Sequence, residues 1–200
     1  MSELQDLLNP KYKNIDELPY RQGAIGIIID NNNHFLIVQM KDYGDNDWRF
    51  SGGGIEENET PTEGLLRELT EELGTDKFEI LKESKQVNKY DWPEQVIINQ
   101  IKNKKRYFRG QEQHQFLVKF TGVTEDIVID PKELKKVKWV AYNELQAHFT
   151  FDNQWEQAKE VLQKFVQSVE SNSRKGNTNL KKVLKPRLKD LRDVVHHTLI

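Results

Sequence analysis

Apolar residues fall into short alternating or periodic runs along most of the chain, and the runs end at residues suited to turns. Residues 23–30 and 34–40 are β-rich stretches separated by Asn31-Asn32-Asn33. That connection predicts a hairpin, because Asn tolerates positive φ. Residues 115–120 and the alternating Val137-Lys138-Trp139-Val140 are further predicted strands. Between residues 153 and 169, Trp155, Ala158, Val161, Leu162, Phe165 and Val169 recur at helical spacing. A second helix is predicted over residues 61–73. Thr60 and Glu63 form a capping box, Pro61 occupies the first helical position where no N–H is needed, and Gly74 supplies a left-handed stop. Strands and helices interleave, which predicts an α/β or α+β fold with a mixed sheet covered by helices.

Composition narrows the class. The 200 residues carry 30 Lys plus Arg against 32 Asp plus Glu, for a net charge of -2. A chain of this length supports one core. The charge is uneven: residues 171–200 hold eight Lys or Arg against Asp190 and Asp193, and the polar, Gly-containing stretch 171–177 reads as a linker. The expectation is one domain over residues 1–170 and a basic tail over 171–200. In the tail Leu180, Val183, Leu184, Leu188, Leu191, Val195 and Leu199 allow an amphipathic helix. Such a helix could dock on the body, join a second copy as a homodimer or lie against RNA. The absence of Cys excludes a disulfide framework, thiolate zinc sites and cysteine nucleophiles, and fits a reducing compartment. Apolar runs such as Ile27-Ile28-Ile29 are far short of the roughly 20 residues that span a bilayer, and the first 20 residues lack the apolar segment of a signal peptide. A soluble, cytoplasmic chain without a membrane partner is expected.

On the predicted helix 61–73, Leu65, Leu66, Leu69 and Leu73 line one face, and Glu68, Glu71 and Glu72 crowd into one turn on another. Like charges at this spacing repel. Either they fan into water as a solvated acidic face, or a cation lies between them, for which oxygen donors suit magnesium or manganese.

The spacing around those carboxylates resembles the Nudix box, G-x5-E-x7-R-E-U-x-E-E-x-G-U with U aliphatic. Gly53, Glu59, Arg67, Glu68, Glu71, Glu72 and Gly74 occupy every fixed polar and Gly position, and only the last aliphatic departs, as Thr75. The resemblance implies the Nudix α/β/α sandwich and metal-dependent hydrolysis of a nucleoside polyphosphate by activated water. It implies Glu68, Glu71 and Glu72 as ligands of Mg²⁺ or Mn²⁺, with Gly53 bringing backbone close to the ion and Glu59 and Arg67 supporting the loop and helix. Arg67 can also pair with Glu71 four residues on. One carboxylate would serve as general base.

The flanks resemble the Nudix group of RNA 5′-pyrophosphohydrolases and diadenosine tetraphosphate hydrolases. Tyr20-Arg21, Tyr90-Asp91-Trp92-Pro93 and Arg109-Gly110-Gln111-Glu112-Gln113 carry that likeness. It implies Arg21 and Gln111 in substrate binding, and it places Glu133 where the group has a further catalytic carboxylate, a second candidate base after Glu72. Residues 102–109 hold five cations, among them Lys104, Arg106 and Arg109, beside Tyr107 and Phe108. The run suits a polyphosphate or RNA backbone, or equally a solvated loop beside a strand. Phe151 matches an aromatic that stacks on a base in the RNA enzymes, with core packing as the alternative; the Lys that follows it there is Asp152 here. His34, His114, His148, His196 and His197 are read as structural or surface residues, and Trp48 as a core residue. The functional expectation is a Nudix hydrolase acting on 5′-phosphorylated RNA or a dinucleoside polyphosphate. The alternatives are a noncatalytic nucleotide- or RNA-binding module and a housecleaning pyrophosphatase for nucleoside triphosphates or nucleotide sugars.

Overall fold

A computed structural model describes residues 3–151 and 153–174, with side chains through Phe165. Its centre is strand β1 (Tyr20–Ile29), which runs parallel to β6 (Gly110–Phe120) from Tyr20 opposite Gly110 to Ile29 opposite Lys119. The other strands are β2 (Phe35–Met40), β3 (Ser51–Gly54), β4 (Phe78–Glu83), β5 (Asn88–Asp91) and β7 (Leu134–Val140). They form one mixed sheet in the order β4-β6-β1-β2-β7, with β3 beside β1 and β5 beside β6. The expected hairpin is present only at its mouth, where Ile29 faces Phe35. Asp30 Oδ1 accepts the N–H groups of Asn32 and His34, and Asn33 takes a φ of 64°. Farther back the flank of β1 belongs to β3, which pairs Ser51 through Gly54 with Gly26 through Gly23.

Alternation sorts the strand side chains onto two faces. Ala24, Ile28, Leu36, Val38, Phe116, Val118 and Phe120 pack under helix α2 (Pro61–Leu73) through Leu65, Leu69 and Leu73. Leu66, expected on that apolar face, is only half-buried. Ile27, Ile29, Phe35, Ile37 and Leu117 face α4 (Tyr142–His148) and α5 (Gln154–Arg174). Trp48 is buried in this second core, and Trp155, Ala158, Val161, Leu162 and Phe165 join it from α5. This is the α/β/α layering expected from the sequence. Helix α5 continues through residues 171–174, which the sequence assigned to the start of a linker. The Val169 side chain, Asp152 and residues 175–200, with the proposed tail helix, His196 and His197, lie outside the described residues.

A third cluster has no sequence counterpart. Helices α1 (Glu3–Leu7) and α3 (Glu94–Lys104) pack through Leu4, Ile97, Ile98 and Ile101, with Leu18 between them. Lys102-Asn103-Lys104 is therefore the last turn of a helix rather than a loop, and Lys105 ends it at a φ of 52°. The segment before β7 is tied to the end of α2. Val128 N–H donates to the carbonyl of Leu73 at 2.9 Å and Asp130 N–H to that of Glu72 at 3.1 Å.

Candidate active site

Helix α2 begins and ends as its sequence dictates. Thr60 and Glu63 exchange capping hydrogen bonds at its start, and Gly74 closes it with a φ of 66°. Strand β3 lies alongside, and the two periodicities bring their residues together. Ser51 and Gly53 are two apart on a strand, while Glu68 and Glu72 are four apart on a helix, so both pairs share a facing side. Ser51 Oγ donates to Glu72 Oε2 at 2.5 Å. A Cβ at Gly53 would overlap the Glu68 carboxylate, so a side chain here would displace Glu68 from its present place. Gly52 has a φ of 143°, a backbone conformation that favours glycine, and a Cβ there would meet the carbonyl of Ala24.

The three helix carboxylates occupy different environments. The Glu71 side chain is 59 % exposed, that of Glu68 16 % and that of Glu72 2 %. Burial pushes the Glu72 carboxyl above its ordinary pKa, opposed by the charge of Arg49 and hydrogen bonds from Ser51 and Gly52. Arg49 Nη2 donates to Glu72 Oε1 at 3.0 Å and to the Gly52 carbonyl at 3.0 Å. Arg67 binds the rest of the box together. Its Nε and Nη2 hold Glu59, its Nη2 also reaches the Gly54 carbonyl at 2.8 Å, and its Nη1 touches Glu68 at 3.1 Å and Glu71 at 3.2 Å. The Arg67–Glu71 pair expected from helical spacing is thus present. Hydrogen bonds from Arg67 and from the Glu56 N–H lower the Glu59 carboxyl to about 2.

These residues form one wall of an open cleft of about 800 Å³. Asp42, Glu56, Glu68, Glu71, Glu72 and Glu133 supply its carboxylates; Arg21, Lys41, Lys104, Arg106 and Lys132 join Arg49 and Arg67 as its cations. Arg21 lies over Gly54, and its pKa is lowered first by burial and then by the neighbouring charge of Arg106. Gln111 is buried at the cleft, where it accepts the Tyr90 hydroxyl at 3.2 Å. The chain thus gathers Arg21, Lys104, Arg106 and Gln111 with Glu68, Glu71, Glu72, Glu133 and Gly53. It directs three other candidates elsewhere. Tyr107 packs against Tyr12 in the α1 and α3 cluster, with ring centroids 6.4 Å apart, and Phe108 lines the cleft in its place. Arg109 forms a double hydrogen bond with Asp91 and pairs with Asp16 at 3.2 Å. Phe151 is 45 % exposed and meets Tyr43 edge-on at 5.1 Å, beyond the residues that line the cleft. His34 and His114 pair with Asp30 and Glu83, as structural histidines do.

Sequence reasoning missed Arg49, Ser51, Lys41 and Lys132, and named Phe108 only as part of the basic run. For Arg49 and Ser51 a signal existed: both lie within three residues of the glycine run that leads into the box. No three carboxylates among the described residues already converge on a single point as an ion cage. Arg67 stands between Glu68 and Glu71, and Glu72 is taken by Arg49, Ser51 and Gly52.

The sequence profile of the NUDIX domain matches residues 19–165. The chain belongs to the Nudix family and is a Nudix hydrolase. It is 39 % identical over 139 residues to an RNA pyrophosphohydrolase of Rickettsia canadensis (strain McKiel), covering 68 % of this chain and 84 % of that one. An RNA pyrophosphohydrolase of a Nitratiruptor species is 37 % identical over 138 residues, covering 66 % and 84 %. Among solved structures, the E. coli dihydroneopterin triphosphate pyrophosphohydrolase superposes with a TM-score of 0.54 at 17 % identity, over 72 % of this chain and 99 % of that one. A C. elegans Ap4A hydrolase binary complex gives 0.52 at 15 % identity, over 74 % and 98 %. These two share the Nudix fold with this chain. Enzymes of the family generally use divalent metal ions such as Mg²⁺ or Mn²⁺. Among the described residues no helix is long and apolar enough to cross a membrane.

Proposed function

We propose that this Nudix hydrolase cleaves a phosphoanhydride bond in the 5′-polyphosphate end of RNA. The observation that carries the reading is the cleft itself, where the box carboxylates and Glu133 share the lining with a set of cations that form no salt bridge among the described residues. Arg21, Lys41, Lys104, Arg106 and Lys132 line it without a salt bridge among the described residues. Such cations suit the oxygens of a polyphosphate chain, and the guanidinium of Arg21 or Arg106 can hold two of them at once. The identity to RNA pyrophosphohydrolases across most of the domain supports RNA as the group carrying the phosphates.

The carboxylates fit a hard divalent cation, since all are oxygen donors on one open cleft with room for water and phosphate. Glu68, Glu71 and Glu72, with backbone at Gly53, would hold it. A bound Mg²⁺ or Mn²⁺ would neutralise phosphate charge and acidify a water. The chain's own residues do the rest. Arg67 and Arg49 set the directions of the box carboxylates, and the cationic wall orients the scissile phosphorus toward them. We assign the general base to Glu133. Its side chain lines the cleft and has no hydrogen bond or ion pair within the described residues, whereas three donors occupy Glu72. In the step, the water oxygen bonds to phosphorus, its proton passes to the base, and the departing phosphate takes the electrons of the broken P–O bond.

A side-by-side assay of triphosphorylated RNA, diadenosine tetraphosphate and free nucleoside triphosphates with Mg²⁺ tests the reading. Preferential release of phosphate or pyrophosphate from the RNA end is expected. A preference for the dinucleotide would move the assignment to the dinucleoside polyphosphate reading. Preference for free nucleotides would favour a housecleaning role, and tight binding without turnover a noncatalytic module.

A further inference from the structure

Arg49 stands where a carboxylate-bound dication would compete with it. Its Nη2 lies 3.0 Å from Glu72 Oε1, and no other cation pairs with Glu72 among the described residues. Ser51 Oγ and the Gly52 N–H already satisfy Oε2 with neutral donors. Arg49 also lines the cleft, and its Nε is buried with no hydrogen-bond partner among the described residues. A buried N–H left unpaired is costly, and a water or a phosphate oxygen would each satisfy it.

A fixed positive charge beside a metal-ligating carboxylate has two opposed effects. It keeps the buried carboxylate aimed, and it repels an incoming cation. Polyphosphate entering the cleft offsets that repulsion with its own negative charge and offers oxygen acceptors to the spare Nε–H. We propose that Arg49 is a positioning residue that holds Glu72 ready while lowering the affinity of the carboxylate cluster for a divalent ion alone, so that ion and polyphosphate load together. The inference rests on the reading of the cleft as a divalent-ion and phosphate site.

The test is titration of the full chain with Mn²⁺, following free ion by electron paramagnetic resonance, with and without a nucleoside triphosphate whose bridging oxygens are replaced by methylene groups. Arg49→Gln is expected to bind Mn²⁺ alone about tenfold more tightly than the unaltered protein, with the gap shrinking to about threefold or less once the analogue is present. Arg49→Lys, which keeps the charge, is expected to stay within about threefold of the unaltered protein in both titrations. Arg49→Met, which keeps the aliphatic length, repeats the neutral comparison if circular dichroism shows the Gln variant to be unfolded. Equal or weaker Mn²⁺ affinity in a folded neutral variant overturns the inference and leaves the site reading standing. Absence of Mn²⁺ binding by the unaltered protein, with and without the analogue, overturns the site reading and the inference with it.

Discussion

Arg67 grips Glu59 with two parallel hydrogen bonds, Nε to Oε1 at 2.7 Å and Nη2 to Oε2 at 3.0 Å. The guanidinium plane that makes this fork also reaches Gly54, Glu68 and Glu71. One side chain therefore joins the glycine strand, the loop and the carboxylate turn of α2. Lysine offers a single charged point and cannot span these acceptors. Arg67→Lys should cost about 2 kcal/mol, since several partly buried acceptors lose their donor. Thermal unfolding followed by circular dichroism should show a Tm lower by roughly 4–8 °C.

The same fork makes stability depend on acid. Glu59 has a folded-state pKa of about 2, well below its ordinary value near 4.5. A depressed carboxylate contributes stability that is fully present above the unfolded pKa and is lost as pH falls through the folded one. Glu59→Gln should thus be less stable than the unaltered protein at pH 7, and the two should converge between pH 4.5 and about 2. Urea midpoints across that window measure it; a gap that stays constant with pH would contradict the assignment.

Gly53 faces the Glu68 carboxylate with no room for a methyl group. Gly53→Ala should push Glu68 aside while the strand pairing of Ala24 with Gly53 survives. A displacement of about 1 Å in a reacting group can cost on the order of 100-fold in rate. Steady-state assays should therefore show kcat lower by that order, with far-ultraviolet circular dichroism preserved.

Glu72 and Glu133 line the same cleft but should fail differently when made neutral. Glu133→Gln removes only a proton acceptor, and kcat should fall by roughly 10²–10⁴-fold with Mn²⁺ affinity nearly retained. Glu72→Gln should abolish turnover and weaken Mn²⁺ binding together, while the fold persists because Gln keeps the shape and an acceptor for Ser51. Parallel kinetics and ion titrations separate the two. Activity near the unaltered level in Glu72→Gln would sink its place in the site.

How much of this was legible in the sequence follows from how local each signal is. Helix α2 was readable end to end, because its cap, its proline, its leucines and its glycine stop lie within the segment. Helix α3 was not: its apolar face is only Ile97, Ile98 and Ile101, and it docks on Leu4, some ninety residues away. Strand β4 escaped notice because Glu79, Lys82 and Glu83 interrupt its apolar pattern on a partly exposed surface. At the site, the box residues announced themselves by spacing. Tyr107 and Phe108 shared one basic run, and only the turn after α3 decides that Phe108 lines the cleft while Tyr107 packs with Tyr12.

The backbone hydrogen bonds that tie the segment before β7 to α2 carry a mechanical consequence. Asp130 hangs from the carbonyl of Glu72, and Lys41 N–H holds the carbonyl of Glu133 at 2.7 Å. Glu72 thus contributes its side chain to the site and its main chain to the mooring of the segment that bears Glu133. The reach between these two carboxylates is ruled off in peptide units, so insertion of one residue between Asp130 and Glu133 would reset it even with every box residue intact.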